Sequence, residues 1–347
     1  MMDMENVKVL TFGEVLLRLA SPGYTKLFQK DCLETTFCGA EANVAVSLAV
    51  LGIGSAMVTK VPDNPVGQAA VNSMRYFGVD ASKVLYGDGR LGTYFLEKGA
   101  SQRPSKVIYD RQNSVFALSQ KQEYHWEKLL ENTGWFHWTG ITAAVSPDMP
   151  EICLDACREA KSRGIMVSCD LNYRKNLWDS ETAKNSISKI MPYVDVCIAN
   201  EEDAEKVLGI KAEKSDVNAG TLDKDGYVEV AKKICDTYGC QHIAITLRKS
   251  ISASRNGWSG MLYSAEKKEA YFSKEYDIQL VDRVGGGDSF GAGLIYGMIK
   301  HMDMQEIIEF AVAASCLKQT MEGDYNRATF EEIMDLVKNG GNGRVKR

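Results

Sequence analysis

The nine cysteines of this 347-residue chain are scattered and form no C-x-x-C pair, and only four dispersed histidines accompany them. Zinc sites are built from clustered cysteines and histidines, so no zinc centre is expected. Cys153 and Cys157 have the i, i+4 spacing of one helix face, which favours packing over metal binding. The odd number and the scatter of the cysteines favour a reduced, cytoplasmic protein.

The chain also lacks the features of a membrane or nucleic-acid-binding protein. No apolar run reaches the roughly 18 residues of a membrane span, and Met1–Val7 carries two acidic residues instead of an apolar signal core. A net charge of −5 provides no basic field for nucleic acid. No internal repeat or low-complexity stretch is present, and 45% apolar with 25% charged residues is typical of globular proteins.

Strand-like apolar runs alternate with helix-like segments along most of the chain. The predicted strands are Lys8–Leu19, Ser55–Val61, Gly134–Thr139, Ile165–Asp170, Val194–Ala199 and His242–Leu247. The predicted helices are Glu41–Leu51, Pro65–Phe77, Asp148–Ser162, Glu181–Met191, Glu201–Leu208 and Tyr227–Tyr238. This alternation predicts right-handed βαβ units on a largely parallel sheet, hence an α/β fold. Ligands of such folds bind beyond the carboxyl ends of the strands.

Two segments, at about 14–37 and 91–112, do not fit the alternation. They read as short strands without crossover helices, for example Thr93–Leu96 and Val107–Tyr109. We expect them to form a small β-sheet lid that closes over a substrate and excludes water. A single α/β domain over 1–347 with this lid inserted is favoured over two domains. The exposed edges of the lid strands also suggest pairing into a homodimer or higher homo-oligomer.

Three consecutive glycines, Gly285, Gly286 and Gly287, stand between Asp282 and Asp288, ahead of an apolar run that reads as a helix. Glycines let backbone amides point at one place, and a helix start adds free N–H groups and a positive dipole end. Together they predict a phosphate site. Asp288 would repel an anion, but it is suited to take a proton from a hydroxyl that attacks the phosphate. A flexible loop with Asp288 as helix N-cap is the alternative, and the short motif alone does not decide between them.

Two signatures at opposite ends of the chain favour the phosphate site. Residues 38–45 read C-G-A-E-A-N-V-A, and residues 282–290 read D-R-V-G-G-G-D-S-F. In this order they resemble the signatures of the ribokinase-like (PfkB-type) carbohydrate kinases, whose second motif is D-T-x-G-A-G-D-x-F. Arg283 replaces the usual Thr, and Gly286 replaces the usual Ala. The resemblance covers nearly the whole chain and implies a ribokinase-like α/β fold and a kinase that uses ATP and Mg²⁺.

The resemblance implies roles for the residues of both signatures. Asp288 is expected to act as general base, while the three glycines stabilise charge on the transferred phosphoryl group. Asp282 is expected either to contact the substrate or to orient the loop. Substrate-binding groups are expected at Gly39, Ala40, Asn43, Asp282 and Asp288.

The nucleotide and Mg²⁺ are expected at strand ends in the second half of the chain. The N-x-x-E motif of the family appears at 200–203 with Asp203 as its last residue, one methylene shorter. Magnesium is expected mostly through water at Glu202 or Asp203. Arg248 stands where the family often has glycine, and it either contacts phosphate or covers the adenine pocket. The expected nucleotide-binding residues are Asn172, Asn200, Thr246, Arg248, Gly285 and Gly287.

Within the family, the chain most resembles 2-keto-3-deoxygluconate kinases. The segments that carry this resemblance are 39–43, 109–111 and 170–174. A keto-deoxy acid has a carboxylate that a neutral hexose lacks, and arginine binds carboxylates with paired, planar donors. Arg111 in the lid and Arg174 beyond a strand end are expected to converge on it. Tyr94 and Tyr109 either contact the substrate or pack within the lid.

The expected reaction is transfer of the ATP γ-phosphoryl group to the primary hydroxyl of 2-keto-3-deoxygluconate. A kinase of a neutral sugar such as fructose, ribose or tagatose would share every catalytic residue and differ only at the arginines. A non-catalytic regulator that binds sugar or nucleotide would be favoured by loss of Asp288 or of the glycines, and neither is lost. The sequence does not distinguish the gluconate- from the galactonate-derived epimer.

Overall fold

The computed structural model describes residues 8–212 and 224–341, so the expectation for Met1–Val7 lies outside the described residues. The strands are β1 Val9–Phe12, β2 Leu16–Ala20, β3 Glu34–Cys38, β4 Ser55–Val58, β5 Lys60–Pro62, β6 Leu85–Gly87, β7 Gly92–Glu97, β8 Lys106–Asp110, β9 Trp135–Thr139, β10 Met166–Asp170, β11 Val196–Ala199, β12 His242–Ser252, β13 Arg255–Ser264, β14 Glu269–Phe272 and β15 Tyr276–Gln279. The helices are α1 Ala40–Val50, α2 Pro65–Arg75, α3 Trp126–Leu129, α4 Gly140–Ala144, α5 Met149–Ser162, α6 Ser180–Ile190, α7 Glu201–Asp203, α8 Lys224–Tyr238, α9 Gly286–Ile299, α10 Met304–Gln319 and α11 Phe330–Asn339. None of these helices is both long and apolar enough to cross a bilayer.

A large sheet forms the centre of the molecule, in the order β14-β13-β12-β11-β10-β9-β1-β4, with β15 also paired to β13. The strands from β4 to β12 in this order run parallel, because helices connect them. Strand β13 turns back along β12 as an antiparallel hairpin. The predicted α/β fold with a mostly parallel sheet is confirmed.

The sheet is buried on both faces, as its near-continuous apolar strands require. In β9 all five residues are buried. Phe136 packs in the cluster with α5, α6 and α8, whereas Trp135 packs in the cluster with α9, α10 and α11. Each such buried aromatic side chain contributes roughly 1.5–3 kcal/mol. Cys153 and Cys157 are fully buried on α5, so their predicted packing role is confirmed.

The run Lys8–Leu19 is not one strand, as its apolar character predicted, but two strands in different sheets. Strand β1 lies in the large sheet, and β2 lies in the small one. Residues 13–15 connect the two strands, and a Cβ added at Gly13 would lie 2.0 Å from Glu41 Oε2. Ser55–Val61 likewise divides into β4 and β5. Both halves of each run are rich in apolar residues, so composition alone does not reveal the break.

A separate four-stranded sheet, in the order β3-β2-β7-β8, forms the predicted lid. Its strands come from the two segments that break the alternation of strands and helices. Strand β2 pairs antiparallel with β3 and parallel with β7, and β8 pairs antiparallel with β7. All five residues of the edge strand β8 are exposed.

Candidate active site

A cavity of about 860 Å³ lies between the lid and the carboxyl ends of the parallel strands. Its walls come from strands β10, β11 and β12, the first turns of α1 and α9, and the lid strand β8. This is where α/β folds bind their ligands. The predicted residues that line it are Gly39, Ala40, Asn43, Tyr109, Arg111, Asn172, Arg174, Asn200, Glu202, Asp203, Thr246, Arg248, Gly285, Gly286, Gly287 and Asp288.

Asp288 lies in the first turn of α9 and faces the cavity. Asn43 Nδ2 donates a hydrogen bond of 2.6 Å to its Oδ2 atom, and the amide of Gly39 donates to Asn43 Oδ1 at 3.4 Å. Burial raises the pKa of Asp288 to about 7, against the lowering effect of the Asn43 hydrogen bond; the charges of Glu41 and Asp324 also raise it. A carboxylate with a pKa near neutral is suited to accept a proton from a hydroxyl.

Gly285 precedes α9 in a left-handed conformation, with φ of 80°. A Cβ at this position would lie 2.1 Å from the carbonyl oxygen of Asp324. Both conformation and space therefore require glycine here. This turn brings the helix start directly to the cavity wall.

The first amides of α9 lie next to Asp288 and include two that have no helical hydrogen-bond partner. Ser289 N–H is the first amide to bond back to the chain in the helical pattern, to Gly285 O at 2.9 Å. Gly286 N–H contacts Arg283 O at 3.3 Å. The amides of Gly287 and the following residue precede that first helical bond and lie at the cavity wall. Helix-start amides of this kind bind phosphate oxygens.

Tyr94 and Asp282 are not among the residues that line the cavity, which favours lid packing for Tyr94 and orientation of the glycine loop for Asp282 over contact with the substrate. Arg18 of lid strand β2 draws Asp282 into a buried ion pair, with Nη2 at 2.5 Å from Oδ2. Arg18 Nη1 also pairs with Asp324, which accepts a hydrogen bond of 2.8 Å from the Tyr94 hydroxyl. Asp282 Oδ1 accepts the amide of Val284 at 3.2 Å, so its carboxylate holds the glycine loop in place.

The ammonium of Lys318, on α10, lies behind the same loop and is fully buried. Its Nζ donates to the carbonyl oxygens of Asp282 at 3.1 Å and Met321 at 3.5 Å. Burial lowers the pKa of Lys318, whereas the charges of Asp282 and Asp324 raise it. Sequence reasoning missed Arg18, Asp324 and Lys318. Of these three residues, only Arg18 could have been noticed in the sequence. An arginine at an inward-facing position of an apolar strand requires a buried acidic partner.

Asp203 joins two of the strand-end loops. Its carboxylate accepts the amide of Tyr173 at 2.9 Å and that of Asn200 at 3.3 Å, and its own amide donates to Asn200 Oδ1 at 2.8 Å. Burial raises the pKa of Asp203 to about 6. Asp203 and Asn200 therefore close the start of α7, and Glu202 beside them is exposed at the cavity wall.

Asp170, at the end of β10, is a cavity residue that the prediction left without a role. Burial raises the pKa of Asp170, the charges of Asp203 and Asp288 raise it further, and Arg174 lowers it. Asn172 Nδ2 lies 3.4 Å from Asp170 Oδ2, and its backbone is left-handed with φ of 38°. The position of Asp170 at the end of a predicted parallel strand was the one feature of the sequence that could have identified it as a site residue.

The two arginines expected at the substrate differ in their partners. Arg111 is buried and paired with Glu14, with Nε at 2.7 Å and Nη2 at 2.5 Å from Oε2. The Ser114 hydroxyl donates a hydrogen bond of 2.5 Å to Oε1 of the same carboxylate. Arg174 is exposed, and in the described part of the chain its side chain makes no ion pair or hydrogen bond. Its charge acts on Asp170, Asp203 and Asp288.

Together these features define a phosphoryl-transfer enzyme of the α/β class. A helix start offers free amides, a carboxylate with a pKa near 7 lies beside them, and the small sheet supplies one wall of the cavity. Residues 6–329 match the model of the pfkB family carbohydrate kinases. The chain belongs to this family and is a carbohydrate kinase, as predicted from its two signatures.

Similar proteins cover nearly the full length of the chain. The crystal structure of 2-dehydro-3-deoxygluconokinase from Thermotoga maritima is 46% identical and covers 96% of this chain and 98% of its own, with a TM-score of 0.92. A putative 2-keto-3-deoxygluconate kinase from Enterococcus faecalis is 27% identical, with coverage of 98% and 99% and a TM-score of 0.89. A 2-dehydro-3-deoxygalactonokinase from Haloferax volcanii is 28% identical over 336 residues, which are 97% of this chain and 98% of that protein.

Proposed function

We propose that this carbohydrate kinase transfers the γ-phosphoryl group of ATP to the primary hydroxyl of 2-keto-3-deoxygluconate. The observation that carries the proposal is Arg174, a cation at the cavity wall without a protein partner among the described residues. The 46% identity to the Thermotoga maritima 2-dehydro-3-deoxygluconokinase supports the same substrate.

A carboxylate on the sugar gives Arg174 the partner that a neutral sugar does not supply. Arg111 reaches the same cavity but is neutralised by Glu14, which occupies its Nε and Nη2 side. Its guanidinium lies 5.8 Å from the centre of the Tyr109 ring, which limits its movement. Arg111 therefore offers only Nη1, and Arg174 supplies a guanidinium that has no hydrogen-bond or ion-pair partner among the described residues.

In the proposed reaction Asp288 takes the proton of the attacking hydroxyl. Asn43 donates a hydrogen bond of 2.6 Å to Asp288 Oδ2, which leaves Asp288 Oδ1 to accept the proton of the hydroxyl. The amides of Gly287 and Asp288 stabilise negative charge on the transferred group. As in other phosphoryl transfers, the side chains act by position and charge and form no covalent intermediate.

Bound magnesium would neutralise part of the negative charge of the nucleotide phosphates. No group of three or more His, Cys, Asp or Glu residues within 8–212 and 224–341 is arranged to hold a metal. A site built mainly from phosphates and water therefore fits better than a protein cage. Glu202 is the proposed water-mediated contact, because two backbone amides already occupy the carboxylate of Asp203.

A coupled assay of ADP release over a panel of sugars tests the substrate. The panel contains 2-keto-3-deoxygluconate, its galactonate-derived epimer, fructose, ribose and tagatose. We expect kcat/KM for one of the two keto acids to exceed that for every neutral sugar by about 100-fold, the value of a charge-assisted contact of about 3 kcal/mol. A neutral sugar as best substrate would replace the proposed substrate, and no turnover with any sugar would favour a non-catalytic regulator.

We further propose that the enzyme pairs through its lid sheets in the cytoplasm. Val107 and Tyr109 of β8 line the cavity, so Ile108 faces away from it and is 54% exposed. Ile108 aligns with Phe95 and Leu19 on neighbouring strands, which gives an apolar outer face. Light scattering is expected to show a dimer that Ile108→Glu converts to a monomer, and a monomeric wild type would contradict this.

The cysteines of the described residues are free thiols, which fits the proposed location in a reducing compartment.

A further inference from the structure

Arg283 is a residue at which the glycine loop departs from the family motif, and it lies between two cavities of the structure. It lines the main cavity and also a crevice of about 50 Å³ between the lid and the β12–β13 hairpin. The crevice includes Val107 of the lid and Ala253 at the hairpin tip. Arg283 therefore lies where lid, hairpin and glycine loop meet, two residues before Gly285.

The charge of a second guanidinium, that of Arg248, acts on Arg283, and no carboxylate among the described residues pairs with it. Burial lowers the pKa of Arg283, and the charge of Arg248 lowers it further. Arg283 is half-buried, Arg248 is exposed, and both line the cavity. No hydrogen bond or ion pair within the described chain occupies either guanidinium. Two like charges without a counterion are unfavourable, and an anion between them removes the repulsion.

Two polar side chains of strand β13 lie beside this pair and also lack partners. Asn256 is 1% exposed and Trp258 is 7% exposed, and both line the cavity. Asn256 Oδ1 and Trp258 Nε1 make no hydrogen bond in the structure. Trp258 is the cross-strand neighbour of Arg248. Buried polar atoms are nearly always satisfied, so unpaired ones at a cavity wall indicate a place for a ligand and its water.

We propose that Arg283 and Arg248 clamp the terminal phosphates of the nucleotide, and that Arg283 is a catalytic residue that stabilises charge on the transferred phosphoryl group. This inference rests on the proposed use of ATP. Arg283 lies three residues before the start of α9, and Arg248 lies on β12 and lines the same cavity. A guanidinium adds to those amides a positive charge and paired donors, which the threonine of the family motif does not have.

The first test compares turnover of four variants: Arg283→Thr, which restores the family residue, Arg283→Lys, Arg248→Ala and Arg255→Thr. Arg255 is the control, because it is ion-paired to Asp277 on the same hairpin and does not line the cavity. Removal of one charge-stabilising donor lowers kcat by on the order of 100-fold, and we expect this for Arg283→Thr. Arg283→Lys is expected to retain part of the rate, and KM for the sugar acid is expected to stay within about twofold.

The second test measures binding by calorimetry and needs no turnover. A non-hydrolysable ATP analogue, ADP and AMP are titrated into each variant. Arg283→Thr and Arg248→Ala are expected to weaken the triphosphate about tenfold or more, ADP less, and AMP not at all. Arg255→Thr is expected to bind all three as the wild type does. A thermal midpoint close to that of the wild type verifies that each variant is folded.

The two tests separate the clamp from the substrate assignment. Unchanged binding of the ATP analogue by Arg283→Thr, with unchanged kcat, overturns the clamp. A raised KM for the sugar acid with normal nucleotide binding also overturns it, because Arg283 would then bind the substrate carboxylate. If 2-keto-3-deoxygluconate is not phosphorylated but the phosphate-dependent loss of binding is observed, only the substrate proposal fails.

Discussion

The side-chain amide of Asn43 donates to Asp288 Oδ2 at 2.6 Å across 245 residues of sequence. This hydrogen bond joins the first turn of α1 to the first turn of α9. Both helices begin at the cavity, and each carries one of the two signature segments. The two signature segments therefore form one site, in which Asn43 of the first segment holds the carboxylate of Asp288 in the second in a fixed orientation.

The pKa of Asp288, raised to about 7, predicts how the rate depends on pH. The carboxylate must be deprotonated to accept the hydroxyl proton, so kcat/KM for the sugar should fall tenfold per unit below pH 7. Above that value it should level off. A profile from pH 5 to 9 measures this, and a rate that stays level down to pH 5 would show that Asp288 is not the titrating base.

Replacement of Asn43 by Ala should move that profile. The Asn43 hydrogen bond lowers the pKa of Asp288, so its loss should raise this pKa and shift the acidic limb to higher pH. We expect kcat at pH 7 to fall about tenfold and to recover partly at pH 9. If the variant has a lower rate but the acidic limb of its pH–rate profile is unchanged, Asn43 acts by binding the sugar and not by orienting the carboxylate of Asp288.

Arg174→Ala should separate sugar acids from neutral sugars. Loss of a charge-assisted contact of about 1.5–3 kcal/mol raises KM for the keto acid by about 10- to 100-fold. KM for fructose should not change, because fructose offers no carboxylate. Lys175→Ala removes an exposed charge next to Arg174 that does not line the cavity, and it should change neither value. Equal losses for both sugars would contradict the role in recognising the acid.

Arg18→Met should destabilise the fold, although Arg18 does not line the cavity. The substitution leaves the buried carboxylates of Asp282 and Asp324 without their guanidinium, which costs about 3–5 kcal/mol. Arg255→Met breaks an exposed pair and should cost at most about 1 kcal/mol. Urea denaturation compares the free energies of unfolding. Equal midpoints for the two variants would show that the buried network contributes little stability.

The sequence predicted features that depend on local pattern. The alternation of apolar strands and helices predicted the parallel sheet, and the glycines before an apolar run predicted the helix start that Gly285 precedes with its φ of 80°. The break after Phe12 was not predicted, because the strands on both sides of it are mostly apolar. The close approach of Glu41 to Gly13 was not visible either, because Glu41 lies 28 residues further along the chain.

Side-chain partners far apart in sequence were not predicted. Asp282 was expected either to contact the substrate or to orient the loop, and its ion pair with Arg18, 264 residues away, favours the second role. Arg111 was expected at the substrate, and its partner Glu14, 97 residues away, was not foreseen. Periodicity and motif spacing describe near neighbours only, so such ion pairs become visible only when the lid is folded onto the large sheet.

The turnover of Asp288→Asn tests the central claim most directly. Asparagine has nearly the same shape and keeps a hydrogen-bond acceptor, but it cannot take the hydroxyl proton. With 2-keto-3-deoxygluconate and ATP, we expect kcat to fall by about 10²–10⁴-fold, the usual contribution of a general base. Calorimetric binding of a non-hydrolysable ATP analogue should remain near that of the wild type. A kcat close to the wild-type value in this variant would contradict the assignment of Asp288 as the base.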